Sequence, residues 1–266
     1  MSDLKMPDLK MPDLKMPDAV TLLNISKRFL VDSPVEGGQQ QDGVFTALDN
    51  VSFNLKQGTC NLICGANGSG KSLLMAIIAG LETPSSGTVQ TSGKVGLIFQ
   101  ESDSQILGET AREDIAFGPQ NSGLSKAQIK ERVTSALAET GLEAKADWPA
   151  RSLSGGEKRR LAVAGVLAMD SQIIIFDEPY ANMDFLGVIQ VNRLIQKLHH
   201  DDKTIIILTH EIEKCMALAD RFLVLCQGKI VFDGSTEQAL CQNLEAWGIR
   251  HPLHGKYGEL KDLAWL

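Results

Sequence analysis

The chain has 266 residues, 43% of them hydrophobic, and a net charge of −7; that apolar content suits one large α/β domain or one and a half ordinary ones. Acidic chains are poor nonspecific nucleic-acid binders, because such binding neutralises phosphates, so no nucleic-acid partner is expected. No apolar run approaches the roughly 20 residues of a bilayer-spanning helix, and no basic-then-apolar opening marks a secretory signal.

In chain order, the pentapeptide MPDLK repeats in tandem from Met6. Each unit carries a proline and two charges and lacks the apolar content to pack, so residues 1–18 are expected to form a disordered tail. The polar stretch DSPVEGGQQQDG (32–43) lies between two strand-like runs and predicts an exposed hairpin loop joining N-terminal antiparallel strands. Short apolar runs follow: CNLIC (60–64), VGLIF (95–99), QIIIF (172–176) and TIIIL (204–208). They predict strands buried on both faces, and their alternation with helical patterns predicts a mostly parallel sheet in an α/β fold. Between the second and third run, SKAQIKERVTSALAETG (125–141) predicts a helix. Ser125 and Gln128 form a capping box, Ile129, Val133, Ala136 and Leu137 form one apolar stripe, and Gly141 suits the position past the end. The region 101–165 is therefore expected to be a helical insert within a domain spanning 19–240, with 241–266 a short C-terminal tail. Cys60 and Cys64 lie four strand steps apart, roughly 13 Å, too far for a disulfide. With Cys215, Cys226 and Cys241 they read as small apolar residues in a reduced compartment.

GANGSGKS (65–72) satisfies G-x-x-x-x-G-K-[ST] after a strand and at the start of the helix KSLLMAIIAG. Gly68 and Gly70 let the backbone of Gly65, Ala66, Asn67 and Ser69 curl so that its amides face phosphate oxygens. The helix N-terminus adds a favourable dipole, Lys71 reaches the β and γ phosphates, and Ser72 is a Mg²⁺ ligand. At the end of IIIFDEP (173–179), Asp177 is placed as a Mg²⁺ ligand and Glu178 as the group that polarises water for attack on the γ phosphate. Gln100 and His210 also follow apolar strands. Ligands of open α/β sheets bind beyond the carboxyl ends of the strands, so these groups are expected to converge on one edge. There Gln100 can meet Mg²⁺ and the attacking water, and His210 the γ phosphate. A second glycine turn, LSGGEKRR (153–160), opens another helix. Ser154 and Glu157 form a capping box, yet a plain cap has no need of Gly155 and Gly156, which weaken a helix. Bare amides and a hydroxyl at a helix N-terminus make an anion site. Lys158, Arg159 and Arg160 add basic charge, part of it read as a solvated face.

Taken together over about residues 19–240, these motifs resemble the ATPase subunit of ATP-binding-cassette (ABC) transporters: P-loop, Gln100 loop, LSGGE, IIIFDE, the stretch ANMD (181–184) and His210, in the family's order. The resemblance implies a P-loop NTPase of ABC type with a helical insert, ATP and Mg²⁺ as ligands, and ATP hydrolysis. Phe29, in NISKRF, matches the family's adenine-stacking aromatic, with Phe45 as the fallback. It further implies a head-to-tail pair in which the P-loop of one chain holds an ATP that Ser154, Gly155 and Gly156 of the other cap, with Asp184 retained between them. EDIAFGP (113–119) and LSGGEKRRLAVAGVLAM (153–169) resemble the energy-coupling-factor and cobalt-importer branch. That branch pairs its ATPases, as homo- or heterodimers, with an integral membrane scaffold and a substrate-binding membrane protein for a vitamin or a transition-metal ion, at the cytoplasmic face of the membrane. DEPYANMDF (177–185) departs from the pattern, with Tyr180, Asn182 and Met183 in place of threonine, glycine and leucine and no proline after Asp184. Communication between subunits is expected to differ in detail. Two other readings remain: a soluble ABC ATPase that moves nothing across a membrane, and a P-loop kinase, which gives LSGGE no role.

Overall fold

The computed structural model describes residues 16–30, 39–41 and 43–253. The tandem repeats up to residue 15, most of the polar loop and the last residues of the chain lie outside that set.

Two sheets form the frame. The first is antiparallel: β1 (Asp18–Leu30), β2 (Gln39–Gln41), β3 (Val44–Lys56) and β5 (Ser86–Thr91) in the order β2-β3-β1-β5. The second orders β10-β9-β4-β8-β7-β6, from β4 (Cys60–Cys64), β6 (Val95–Ile98), β7 (Ile173–Asp177), β8 (Thr204–Leu208), β9 (Arg221–Cys226) and β10 (Lys229–Gly234). Every pairing in it is parallel except β10 on β9. The four apolar runs named from sequence are its β4, β6, β7 and β8. One difference lies at 32–43, read as loop: Gln39–Gln41 is extended and pairs with Val44–Thr46. Three glutamines carry no apolar alternation, so the pairing comes from the hairpin's geometry and not from a buried face.

Strand periodicity explains how the second sheet is covered. Successive side chains point to opposite faces. Leu62, Ile174, Phe176, Ile205, Ile207, Phe222 and Val224 fall on one face, buried against α5 (Gly155–Ala168) and α6 (Phe185–His200). Ile63, Ile173, Ile175, Ile206, Leu208, Leu223 and Leu225 fall on the other, packed on α1 (Lys71–Ile78) and on Val20, Leu22, Ile25, Leu48 and Leu55 of the antiparallel sheet. Each such side chain contributes about 1.5–3 kcal/mol of burial. The insert has its own core, built by α3 (Ala111–Asn121), α4 (Lys126–Thr140) and one side of α5, with Ile115, Val133, Leu137, Leu142 and Leu161 inside; short α2 (Ser102–Gln105) leads into it. Helix α4 has both caps expected of it: Ser125 and Gln128 close a capping box, and Gly141 is left-handed at φ 66°. After α7 (Thr236–Leu240), the segment read as a short tail contributes Leu244 and Ile249 to the core beside α6, and Trp247 packs on Phe232 with ring centroids 6.1 Å apart.

Because β4, β6, β7 and β8 run parallel side by side, their carboxyl ends share one edge. The P-loop, Gln100, Asp177–Glu178 and His210 all leave the sheet there.

Candidate functional site

Gly65–Ser72 bridges β4 and α1. Gly68 at φ 77° and Gly70 at φ 103° are left-handed, a conformation that only glycine adopts without strain. Gly65 is small for a different reason: a Cβ would lie 2.1 Å from the carbonyl oxygen of Leu225. Gly228, in the β9–β10 turn, donates its amide to the Ser69 carbonyl at 3.0 Å and props the loop from behind. Three features of the loop call for an anion. The N-terminus of α1 has no side-chain cap and no acid in its first turn, so its amides lack partners. The Ser69 hydroxyl is buried without a hydrogen bond. Lys71 Nζ folds onto the carbonyls of Gly65 (2.7 Å) and Ala66 (3.2 Å). Burial pulls its pKa below the usual lysine value, opposed by the negative charge of Glu178 and Asp177 nearby. Ala66, Asn67 and Ser72 lie at the open side of the loop.

At the end of β7, Asp177 is half-buried and its pKa is raised, first by burial and then by the neighbouring Glu178 charge, with Lys71 pulling the other way. Glu178 is 9% exposed and sits at φ 44°, a left-handed conformation that costs a non-glycine residue about 1–3 kcal/mol. Its amide donates to the Leu208 carbonyl at 2.8 Å, which turns the side chain out of the strand. Its carboxylate accepts from the Thr209 hydroxyl at 2.8 Å and meets His210 Nδ1 at 2.9 Å. His210 is otherwise open to solvent. Thr209, buried, was missed from sequence; its signal is a hydroxyl residue between an apolar strand and a site histidine.

The structure thus joins Glu178 and His210 directly, and Lys71 to both acids through its field. Gln100 lies past the end of β6 with its side chain exposed, and its carbonyl accepts from Arg159 Nη2 at 2.9 Å. Phe29 is 39% exposed and sits directly opposite Phe45 across β1 and β3, so the two aromatics considered for one role form one cross-strand pair. The Lys27 ammonium lies 5.3 Å from the Phe29 ring centroid. Ser154 caps α5 in a capping box with Glu157, whose carboxyl is held down at about 2, chiefly by Lys145 at 2.5 Å. Among the described residues no hydrogen bond joins Ser154, Gly155 or Gly156 to the P-loop.

The unusual DEPYANMDF stretch is well built. Tyr180 is fully buried and donates its hydroxyl to Asn192 Oδ1 at 2.7 Å. Asn182 stands at φ 58°, which asparagine tolerates where a glycine is common. Asp184 caps α6, its carboxylate accepting from the Gly187 amide at 2.8 Å. Within the basic run of α5, Arg159 is the residue that turns inward: it is 6% exposed, with Nη1 3.7 Å from Met183 Sδ.

Fold and site together define a P-loop ATPase with a signature helix. Residues 48–181 match the family model of the ABC transporters. An energy-coupling factor transporter ATP-binding protein EcfA2 of Methanospirillum hungatei is 38% identical over 208 residues, 73% of this chain and 52% of its own length. The cobalt import ATP-binding protein CbiO of Rhodobacter capsulatus is 36% identical over 228 residues, 79% of this chain and 81% of its own. Among solved structures, CbiO1 of Clostridium perfringens, part of the ABC transporter complex CbiONQ, superposes with a TM-score of 0.73 at 29% identity, covering 88% of this chain and 96% of its own. The chain spans about half the length of the Methanospirillum relative. It belongs to the ABC transporter ATP-binding family, in the energy-coupling-factor and cobalt-import branch.

Proposed function

We propose that the chain is the ATP-hydrolysing subunit of a membrane importer for a vitamin or a transition-metal ion, working in head-to-tail pairs with an identical or related ATPase. One observation carries the pairing. At Gly155 a Cβ would meet nothing within 4 Å, and at Gly156 only Gln190 Oε1 at 3.6 Å, an ordinary contact. Both stand in the first turn of α5, where alanine, the better helix former, would fit at either position. Among the described residues no close neighbour asks for glycine there, so the bare amides suit a ligand brought from outside: the nucleotide on a second chain's P-loop.

In this reading Lys71 leaves its two carbonyls for the β and γ phosphates, the P-loop amides take the remaining oxygens, and Phe29 stacks on adenine. Ser72, Gln100 and Asp177 offer the hard oxygen donors that suit Mg²⁺, an ion that keeps several waters and takes few protein ligands. Consistent with this, no group of three or more acids, histidines or cysteines able to hold a metal occurs among the described residues. When bound, Mg²⁺ supplies charge neutralisation on the phosphates. Glu178 takes a proton from water as its oxygen bonds to the γ phosphorus, and the bond to the bridging oxygen breaks to leave ADP and phosphate. Thr209 holds the Glu178 carboxylate for that step, and His210, which meets the same carboxylate without nucleotide, turns to the γ phosphate when it binds. Ser154, Gly155, Gly156 and Asp184 of the second chain close over the nucleotide.

Among the described residues no helix is long and apolar enough to cross a membrane. Membrane partners, a scaffold and a substrate-binding protein, would hold the pair at the cytoplasmic face, and the helical insert with the Gln100 loop would pass on its closure. The test is Glu178→Gln. It should retain ATP, accumulate an ATP-bound dimer on size exclusion and lose hydrolysis at least 100-fold; full ATPase activity, or no dimer with ATP, refutes the reading. A pull-down from detergent extract should bring an integral membrane protein with the chain.

A further inference from the structure

Arg159 is buried, and among the described residues it has no acidic partner. Its guanidinium contacts are the Gln100 carbonyl (2.9 Å) and the Met183 thioether (3.7 Å). Among the described residues no carboxylate lies within ion-pair range of it. Such a buried cation costs stability, and an apolar side chain of similar volume would fill the space without that cost. What the position gains is connection. Arg159 belongs to α5, whose N-cap is Ser154. The residue before it, Lys158, pairs with Asp103 of α2. Two consecutive residues of the signature helix therefore grip the 100–103 segment. Gln105 closes that segment's other side, donating to the Leu97 carbonyl at 2.8 Å and accepting from the Phe99 amide at 3.2 Å. Among the described residues β6 is the edge strand of its sheet, and these side chains stand where a further strand would pair.

The chain segments that meet at Arg159 face different nucleotides if the paired reading above holds. Gln100 serves the ATP on its own P-loop, Ser154 serves the partner's, and Met183 adjoins Asp184 between them. We propose that Arg159 is a positioning residue that fastens the Gln100 loop to the signature helix, so that occupancy of one ATP site sets the placement of Ser154 at the other. The device is mechanical. A helix is stiff along its axis, so a displaced Gln100 carbonyl carries the N-cap of α5 with it. Met183 Sδ is a soft, polarisable acceptor, so the second hydrogen bond of the guanidinium is weak and yields readily to a shift.

The experiment uses the full chain with Arg159→Met and Arg159→Lys, measured for binding of a fluorescent ATP analogue with Mg²⁺, for kcat, and for the Hill coefficient of hydrolysis against ATP. Arg159→Met should bind nucleotide within twofold of the unsubstituted chain, lose kcat at least 10-fold, and bring the Hill coefficient down to about 1. Hydrogen exchange of the 99–103 amides should quicken at least 10-fold while that of β7 is unchanged. Arg159→Lys keeps one donor for the Gln100 carbonyl and should recover part of kcat and of the cooperativity. Arg159→Met with unchanged kcat and Hill coefficient overturns the proposal, as does a raised KM with kcat intact. If Arg159→Met does not fold, Arg159→Lys decides: an intermediate kcat at unchanged nucleotide affinity supports the proposal, and unaltered cooperativity overturns it. Glu178→Gln and Ser154→Arg run in parallel separate the two claims. If they stay active, the paired reading fails; if they are inactive while Arg159→Met is unaffected, only the role of Arg159 fails.

Discussion

Replacing Tyr180 by threonine, the residue usual in the family, should destabilise this chain by about 3 kcal/mol. The ring is fully buried and belongs to the same core as Phe176, Val188, Ile212, Cys215 and Met216. Truncating a buried aromatic costs about 3–5 kcal/mol in lost transfer energy and cavity, and threonine, keeping a methyl and a hydroxyl, falls at the low end. Part of that is the hydrogen bond to Asn192, worth about 1 kcal/mol net and too distant for the shorter hydroxyl to restore. Tyr180→Phe isolates it: the ring stays, the hydroxyl goes, and the expected loss is about 1 kcal/mol. Urea unfolding followed by circular dichroism measures both. The reasoning fails if Tyr180→Thr lies within about 1 kcal/mol of the parent, or if Tyr180→Phe costs as much as Tyr180→Thr, because packing would then not be the larger effect. Asn192 is on α6, and its amide nitrogen reaches the Lys214 carbonyl at 2.7 Å. A loosened Tyr180 should therefore free both the 181–184 segment and the turn after His210, and lower kcat more than nucleotide affinity.

The other predictions concern glycines, charge and the second chain. Gly65→Ala drives a Cβ to 2.1 Å from the Leu225 carbonyl oxygen; with backbone on both sides the strain should cost about 1–3 kcal/mol and ATP affinity at least 10-fold by calorimetry. Gly68→Ala, at φ 77° in open space, should cost only the backbone strain of about 1–2 kcal/mol. Glu157 is depressed from 4.5 to about 2, so its pairing stabilises the fold above pH 4.5 and is lost as pH falls through the folded value; Lys145→Met should move that loss up toward pH 4.5, seen as a higher titration midpoint for the Glu157 carboxyl and an earlier acid transition. Ser154→Arg should leave ATP binding to the isolated chain intact, cost about 1 kcal/mol as a lost cap, and abolish hydrolysis by the pair.

Where a residue's role rests on local spacing, it was legible. The four apolar runs are strands, helix α4 begins and ends at Ser125 and Gly141, and Ser154 caps α5. Phe29 was placed ahead of Phe45 from sequence, but the alignment across the polar loop is blurred and does not reveal that the two sit opposite each other. Helix α3 escaped notice: it is short, weakly periodic and carries Pro119 inside it. Tyr180 and Arg159 show a different limit. Neither burial has a signal in the flanking residues, because each side chain is satisfied by a group on another element. Arg159 meets Gln100 across a separation of 59 residues and Tyr180 meets its partner on the next helix.

The site itself divides along the same line. Lys71, Asp177, Glu178, Thr209 and His210 assemble within one chain because parallel strands bring their carboxyl ends together. Gly155 and Gly156 have no such partners among the described residues: a Cβ would meet nothing within 4 Å at the first and only Gln190 Oε1 at the second. Under the proposed pairing these two glycines answer to the nucleotide that a second subunit brings, so this half of the site is where the proposal is tested most directly. Arg159 lies between the halves, spending burial of a cation to tie one to the other. A chain that worked alone would have no use for that tie, and an apolar residue there would make it more stable.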